Sequence, residues 1–112
     1  MKNLLNEHTL RLDNARHRGT GGCSQNNSSL GFRPAFFDYA NHTIYPSRFR
    51  DGRLAPFHIL DGLPEQAVAI RAEDGRVVAA KATIIAGFER DGFFYTRTAA
   101  AKAARDWGRR AA

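Results

Sequence analysis

A single cysteine, Cys23, among 112 residues excludes an internal disulfide and any zinc site built from several thiolates. Proline is sparse as well, and Pro34, Pro46, Pro56 and Pro64 all fall in one stretch, which limits regular structure there to short edge-type strands. No apolar run is long enough for a membrane span, and the first residues lack the continuous hydrophobic segment of a secretory signal. Gly19-Thr20-Gly21-Gly22 has neither the lysine nor the strand-to-helix setting of a phosphate-cradling loop. These absences predict a cytoplasmic protein in a reducing compartment, with no membrane partner, metal or cofactor.

Acidic residues are also in deficit. Eleven Asp and Glu stand against 17 Lys and Arg, of which 14 are arginine, for a net charge of +6. Residues 66–112 hold nine basic and five acidic groups, whereas residues 32–65 hold four of each, so the surplus lies toward the carboxyl end. Arginine presents a planar fork that matches phosphate and carboxylate, so an acidic partner, nucleic acid foremost, is expected. A GC-rich coding composition is the bland alternative, because it too enriches alanine and arginine.

What the chain does have is turn chemistry. Asp51-Gly52, Asp61-Gly62, Asp74-Gly75 and Asp91-Gly92 punctuate its second half, and Asp and Gly tolerate the left-handed conformations of tight hairpins. A two-residue loop at Asp91-Gly92 puts Arg90 opposite Phe93 and Phe88 opposite Tyr95, gathering Ile84, Ala86, Phe88, Phe93 and Tyr95 on one face. A three-residue loop, Glu73-Asp74-Gly75, pairs Val78 with Ile70 and Ala80 with Val68. The expected strands are then 66–72, 77–88 and 93–96, and Thr96 caps a helix that continues through Ala99–Trp107 to a stop at Gly108. Ala100, Ala103, Ala104 and Trp107 share the docking side of that helix. Ala35–Tyr39 and Thr43–Tyr45 read as a further hairpin, and Pro64 as the opening of one helical turn.

The predicted fold is therefore α+β: a small antiparallel sheet, made of a hairpin and a three-stranded carboxyl-terminal meander, with one carboxyl-terminal helix on one face. Residues 1–31 hold five of the six asparagines and a Gly/Ser/Asn-rich run, and are expected to form a flexible or weakly helical extension, with Leu4, Leu5 and Leu12 as a thin apolar stripe. Residues 32–112 form the expected compact domain.

Two basic groups are candidates for nucleic-acid contact: Arg48, Arg50 and Arg53 around the Asp51-Gly52 turn, and Lys102, Arg105 and Arg109 on the outer side of the helix, the latter group being explained first by the negative end of the helix dipole. Phe49, between the first arginines, is expected to point inward. Ile85 and Phe94, on the polar side of the sheet, are the candidates for a protein contact or self-association. An acid–base site from Asp38, His42 and His58 is the weakest reading, because no nucleophile is tied to them by any motif. A non-enzymatic basic binding module is the expectation, and a protein-interaction or regulatory module, with dimerisation as one form, is the alternative.

Overall fold

The computed structural model describes residues 4–18, 20, 22 and 27–111, the last four of these by backbone alone. Helix α1 spans Glu7–Arg16, and strands β1 Arg33–Asp38 and β2 Thr43–Pro46 follow. Next come β3 Val68–Arg71, β4 Val77–Ala80, β5 Ile84–Arg90 and β6 Phe93–Thr96, and helix α2 closes the chain over Arg97–Ala111. Single 3₁₀ turns occur at Ser28–Leu30 and Glu65–Ala67, the second opened by Pro64. The strands form a four-stranded antiparallel sheet in the order β2-β1-β5-β6 and a separate β3-β4 hairpin. The fold is α+β, with an antiparallel sheet and a carboxyl-terminal helix.

Turn chemistry accounts for most of the local structure. Asp91 and Gly92 both have positive φ, 54° and 86°, as a two-residue hairpin loop requires, and the pairs Arg90↔Phe93 and Phe88↔Tyr95 follow. The sequences Asp51-Gly52-Arg53 and Asp74-Gly75-Arg76 make a second kind of loop, used twice. In each the glycine is left-handed, φ 94° and 89°, and the aspartate Oδ1 accepts the arginine backbone N–H at 3.0 and 2.9 Å. The ladder closes across three residues, Phe49 N–H to Arg53 O and Ala72 N–H to Arg76 O.

The long run 77–88 is not one strand. A turn at Lys81-Ala82-Thr83, closed by Ile84 N–H donating to Lys81 O, separates β4 from β5, and the two belong to different sheets. One sheet with a helix on half of one face would leave Phe36 and Ile84 in water; folding β3-β4 back supplies the missing layer. Val77, Ala80, Leu60, Leu63 and Leu10 of α1 cover that half. The pairing in β3-β4 is shifted as well. Val68↔Ala80 stands as expected, but Ile70 faces Ala79 and Arg71 faces Val77, with irregularities on both sides of Ile70. Val77 is thereby fully buried while Ile70 remains 49 % exposed, because the hairpin must turn Val77 toward Phe36.

The other half of the core face belongs to α2. Thr96 Oγ1 accepts the Ala99 N–H at 3.0 Å as the cap, and Ala100, Ala103 and Trp107 pack on Phe32, Phe88 and Tyr95. Trp107 stacks on Phe32 at 5.5 Å with the planes 10° apart, and the Arg90 guanidinium lies over the indole, 4.5 Å from the ring centre. The helix continues past Gly108 to Ala111, so that glycine does not end it: Arg109, Arg110 and Ala111 favour helix and offset its cost of about 1 kcal/mol.

At the amino end, Asn6 caps α1 through a reciprocal pair with Thr9, 2.9 Å in both directions. Leu10, not Leu12, carries its buried contact, and Leu12 is 49 % exposed. Asn6 bridges Ala79 and the Leu5 carbonyl accepts the Ala80 N–H at 2.9 Å, so this segment continues the β4 edge. Cys23 lies outside the described residues.

Trp107→Ala removes a half-buried ring and both of its stacking partners, and is expected to cost about 2–4 kcal/mol. Calorimetry should show the thermal midpoint lowered by on the order of 10–20 °C. An unchanged midpoint would refute the docking of α2.

Candidate functional site

Loop 47–60 carries the first arginine group. Ser47 anchors it: its Oγ donates to the Phe57 carbonyl at 2.8 Å and accepts the Ile59 N–H at 2.9 Å, folding the chain back after the Arg48↔Leu54 bridge. Arg48, Arg50 and Arg53 are all exposed on the resulting hairpin. Arg48 Nη1 donates to the Gly52 carbonyl at 2.8 Å and Arg50 Nη2 to the Asp74 carbonyl at 3.2 Å, so both spend hydrogen bonds on neutral acceptors. Arg53 is different. Its Nε pairs with Asp51 Oδ2 at 2.7 Å, and its backbone N–H and guanidinium together hold the Asp51 carboxyl below the usual range. Arg53 also lies over the Phe49 ring at 5.1 Å, and Phe49 meets the 47 % exposed Phe57 edge to face at 5.7 Å.

The second basic group does not join the first. Loop 47–60 leaves β2 at one edge of the sheet, whereas α2 packs on β5 and β6 at the other. Lys102 and Arg105 are exposed on α2, and the Arg109 side chain lies outside the described residues. Arg71, by contrast, approaches Arg50: its Nη1 donates to the Gly75 carbonyl at 2.6 Å, next to the Asp74 carbonyl that Arg50 uses. Glu65 pairs with Arg71 at 2.7 Å and is held below the ordinary carboxylate range by that hydrogen bond.

The protein-contact residues meet on the outer sheet face. Phe37 pairs with Ile85 across β1 and β5, and the Phe37 and Phe94 rings stack at 5.0 Å with a 19° tilt. Gly87 makes this possible, because a Cβ there would run into the Phe94 ring and the Tyr95 carbonyl. Phe94 and Ile85 are each half-buried, so Phe37 covers part of the surface that alternation assigns to solvent.

Asp38, His42 and His58 are not brought together. Asp38 Oδ1 accepts the Ala40 N–H at 2.9 Å as a turn brace, and exposed His42 packs edge-on to Phe37 at 6.1 Å. His58 is buried at 8 % exposure between Phe36 and Phe88, 5.5 and 5.2 Å away, in the seam between the two halves of the core. Its Nε2 lies 2.6 Å from the Gly87 carbonyl and its Nδ1 3.2 Å from Arg97 Nη2. Only one tautomer serves both contacts: Nε2–H donates to the carbonyl and bare Nδ1 accepts from the guanidinium. Burial first, and the adjacent Arg97 charge second, push the His58 pKa down to about 3. Arg97 itself is 5 % exposed and also donates from Nη1 to Asn14 Oδ1 at 2.8 Å and to the Gly22 carbonyl at 3.0 Å.

A cleft of about 880 Å³ opens beside these groups, between the amino-terminal segment and loop 54–57. Its apolar walls come from Phe32, Pro34, Pro46, Leu54, Pro56 and Phe57, and its polar lining includes Asn14, Arg18, Ser28 and Arg33. Alternation and turn chemistry carried no signal for it, because its walls are separated by up to forty-three residues of chain, from Asn14 to Phe57. Among the described residues, no three His, Cys, Asp or Glu side chains group in the manner of a metal site. Nor is any described helix long and apolar enough to cross a membrane.

Comparison with known proteins returns no matching family model, no matching curated protein and no matching solved structure.

The His58 network makes a pH prediction. The unfolded chain takes up the imidazole proton near 6.5 and the folded chain only near about 3, so the unfolded state binds more protons between those values. The stability it supports is complete above 6.5 and declines as pH falls toward about 3. Denaturant titrations near pH 7 and about pH 5 should differ by about 2 kcal/mol in the native chain, and by clearly less in His58→Gln. Equal pH dependence in the two proteins would refute a buried neutral imidazole.

Proposed function

We propose that this chain is a small, non-enzymatic basic binding module whose partner is single-stranded nucleic acid, engaged along the Arg48–Arg53 hairpin. The observation that carries this reading is the state of Arg48 and Arg50: both are exposed, and their hydrogen bonds go to the Gly52 and Asp74 carbonyls instead of carboxylates. A guanidinium on a neutral acceptor is oriented yet keeps its charge for a phosphate. Phe57, edge to face with Phe49 of the same hairpin, has nearly half its surface in water and offers a face on which an unpaired base stacks. Lys102 and Arg105, at the far edge of the sheet, act at longer range by raising the local potential.

A second reading, a protein contact or self-association through the outer sheet face, is favoured by the stacked Phe37–Phe94 pair beside Ile85. Light scattering across a concentration series separates the two, since only the second predicts mass growth without nucleic acid.

Fluorescence anisotropy with mixed-sequence single-stranded DNA and RNA should show binding that weakens linearly in log–log salt plots. Arg48→Ala with Arg50→Ala is expected to lower the magnitude of that slope by about 1.4, from about 0.7 per lost phosphate contact. Phe57→Ala should weaken binding by about 1–3 kcal/mol without changing the slope. Failure to bind either strand at low salt would end this reading.

A further inference from the structure

The cleft between the amino-terminal segment and loop 54–57 has a polar lining of one kind. Asn14 receives Arg97 Nη1 on its Oδ1 at 2.8 Å, which fixes the amide with its N–H₂ as the end left to a ligand. Ser47 also lines the cleft, but its hydroxyl is committed to the Phe57 and Ile59 backbone. The remaining groups are the Ser28 hydroxyl and the guanidinium groups of Arg18 and Arg33, both exposed at the mouth. No carboxylate is part of this lining among the described residues. Among the described residues neither the Arg18 nor the Arg33 side chain makes a hydrogen bond or ion pair, a state they share with Arg11, Arg76 and Arg105, whereas Arg48, Arg50, Arg53, Arg71 and Arg90 all make one.

Such a set offers hydrogen-bond donors and two positive charges, and it rejects cations and neutral acceptor-poor molecules. Other parts of the lining offer flat apolar surface instead, from Pro56 and the exposed ring of Phe57, with Leu54 also lining the cleft. The volume, about 880 Å³, lies within the range of small-molecule sites.

We propose that this cleft binds a phosphate monoester with a flat apolar body, the phosphate between Arg18 and Arg33 and the body against Phe57 and Pro56. A phosphomonoester carries a charge of about −1.5 to −2 near neutral pH and three acceptor oxygens, which two guanidinium groups, an amide and a hydroxyl match in charge and number. The site shares Phe57 with the proposed nucleic-acid surface, but its phosphate donors are Arg18 and Arg33 rather than Arg48 and Arg50, so it does not depend on the nucleic-acid reading. Because Asn14, Arg18 and Ser28 belong to the amino-terminal segment while Arg33 and Phe57 belong to the body of the fold, a bound ligand also fastens the one to the other.

Phenyl phosphate is the test ligand, with inorganic phosphate and phenol as its two halves, each titrated into the full chain. NMR should show saturable shifts at Phe57, Ser28 and Asn14, and calorimetric scans should show a raised midpoint, with phenyl phosphate binding at least about tenfold more tightly than either half. Arg18→Ala with Arg33→Ala alters two exposed side chains, so the unliganded midpoint should be kept while phenyl phosphate binding weakens at least about tenfold. Retained oligonucleotide binding in the same double variant would show that the Arg18–Arg33 pair acts separately from Arg48 and Arg50. Absence of binding at millimolar phenyl phosphate, equal binding of either half alone, or undiminished binding by the double variant would each overturn the proposal.

Discussion

Arg97 is the point on which the separate pieces of this molecule converge. It is the first residue of α2, yet its guanidinium reaches Asn14 on α1, the Gly22 carbonyl and the His58 ring, and lies 5.9 Å from the Phe88 ring centre. A cation at a helix amino terminus opposes the helix dipole, and a buried one also forgoes its hydration. Both costs are met by lone pairs, those of Asn14 Oδ1, the Gly22 carbonyl and His58 Nδ1 among them. The imidazole must therefore stay neutral and present Nδ1, and it fills the seam between the two halves of the core only in that state. One electrostatic requirement thus ties the protonation of His58 to the docking of the amino-terminal segment, and the docking in turn shapes one wall of the cleft.

The rest of the architecture divides around that seam. On one side, α1 and the β3-β4 hairpin cover Phe36 and Ile84; on the other, α2 covers Phe88, with Trp107 packed against Phe32 and Arg90. Neither half buries enough apolar surface to stand alone in a chain this short, so the single sheet beneath them is their common support. Apart from Arg97, the basic side chains of the described residues are then left to the periphery. Those near Asp74 and Gly75 are oriented by backbone carbonyls, while Arg18 and Arg33 face the cleft.

Several parts of this arrangement were legible in the residues alone. Asp91-Gly92 announces its hairpin and the Phe88↔Tyr95 register, Gly75 announces the three-residue loop, and Thr96 with the alanines after it announces α2 and its docking side. The break at Lys81–Thr83 was not legible, because Val77–Phe88 contains no proline, asparagine or aspartate to mark a turn, and only the need to roof Phe36 divides it. The Val77-for-Val78 exchange has the same cause, and so does Leu10 in place of Leu12, since each is chosen by what lies opposite. Among the site residues, the arginines of loop 48–53 could be singled out by clustering and turn position. Arg18, Arg33 and the buried roles of His58 and Arg97 could not, as nothing near them in the chain distinguishes them from solvated side chains.

The chain by itself determined its Asp-Gly turns, one hairpin register, the carboxyl-terminal helix and the surplus of positive charge, since these depend on backbone sterics and composition within a few residues. Which strand faces cover which, the neutral state of His58, and the donor-lined cleft were decided only by the tertiary structure. Burial, dielectric surroundings and convergent hydrogen-bond donors exist only after segments far apart in the chain have come together.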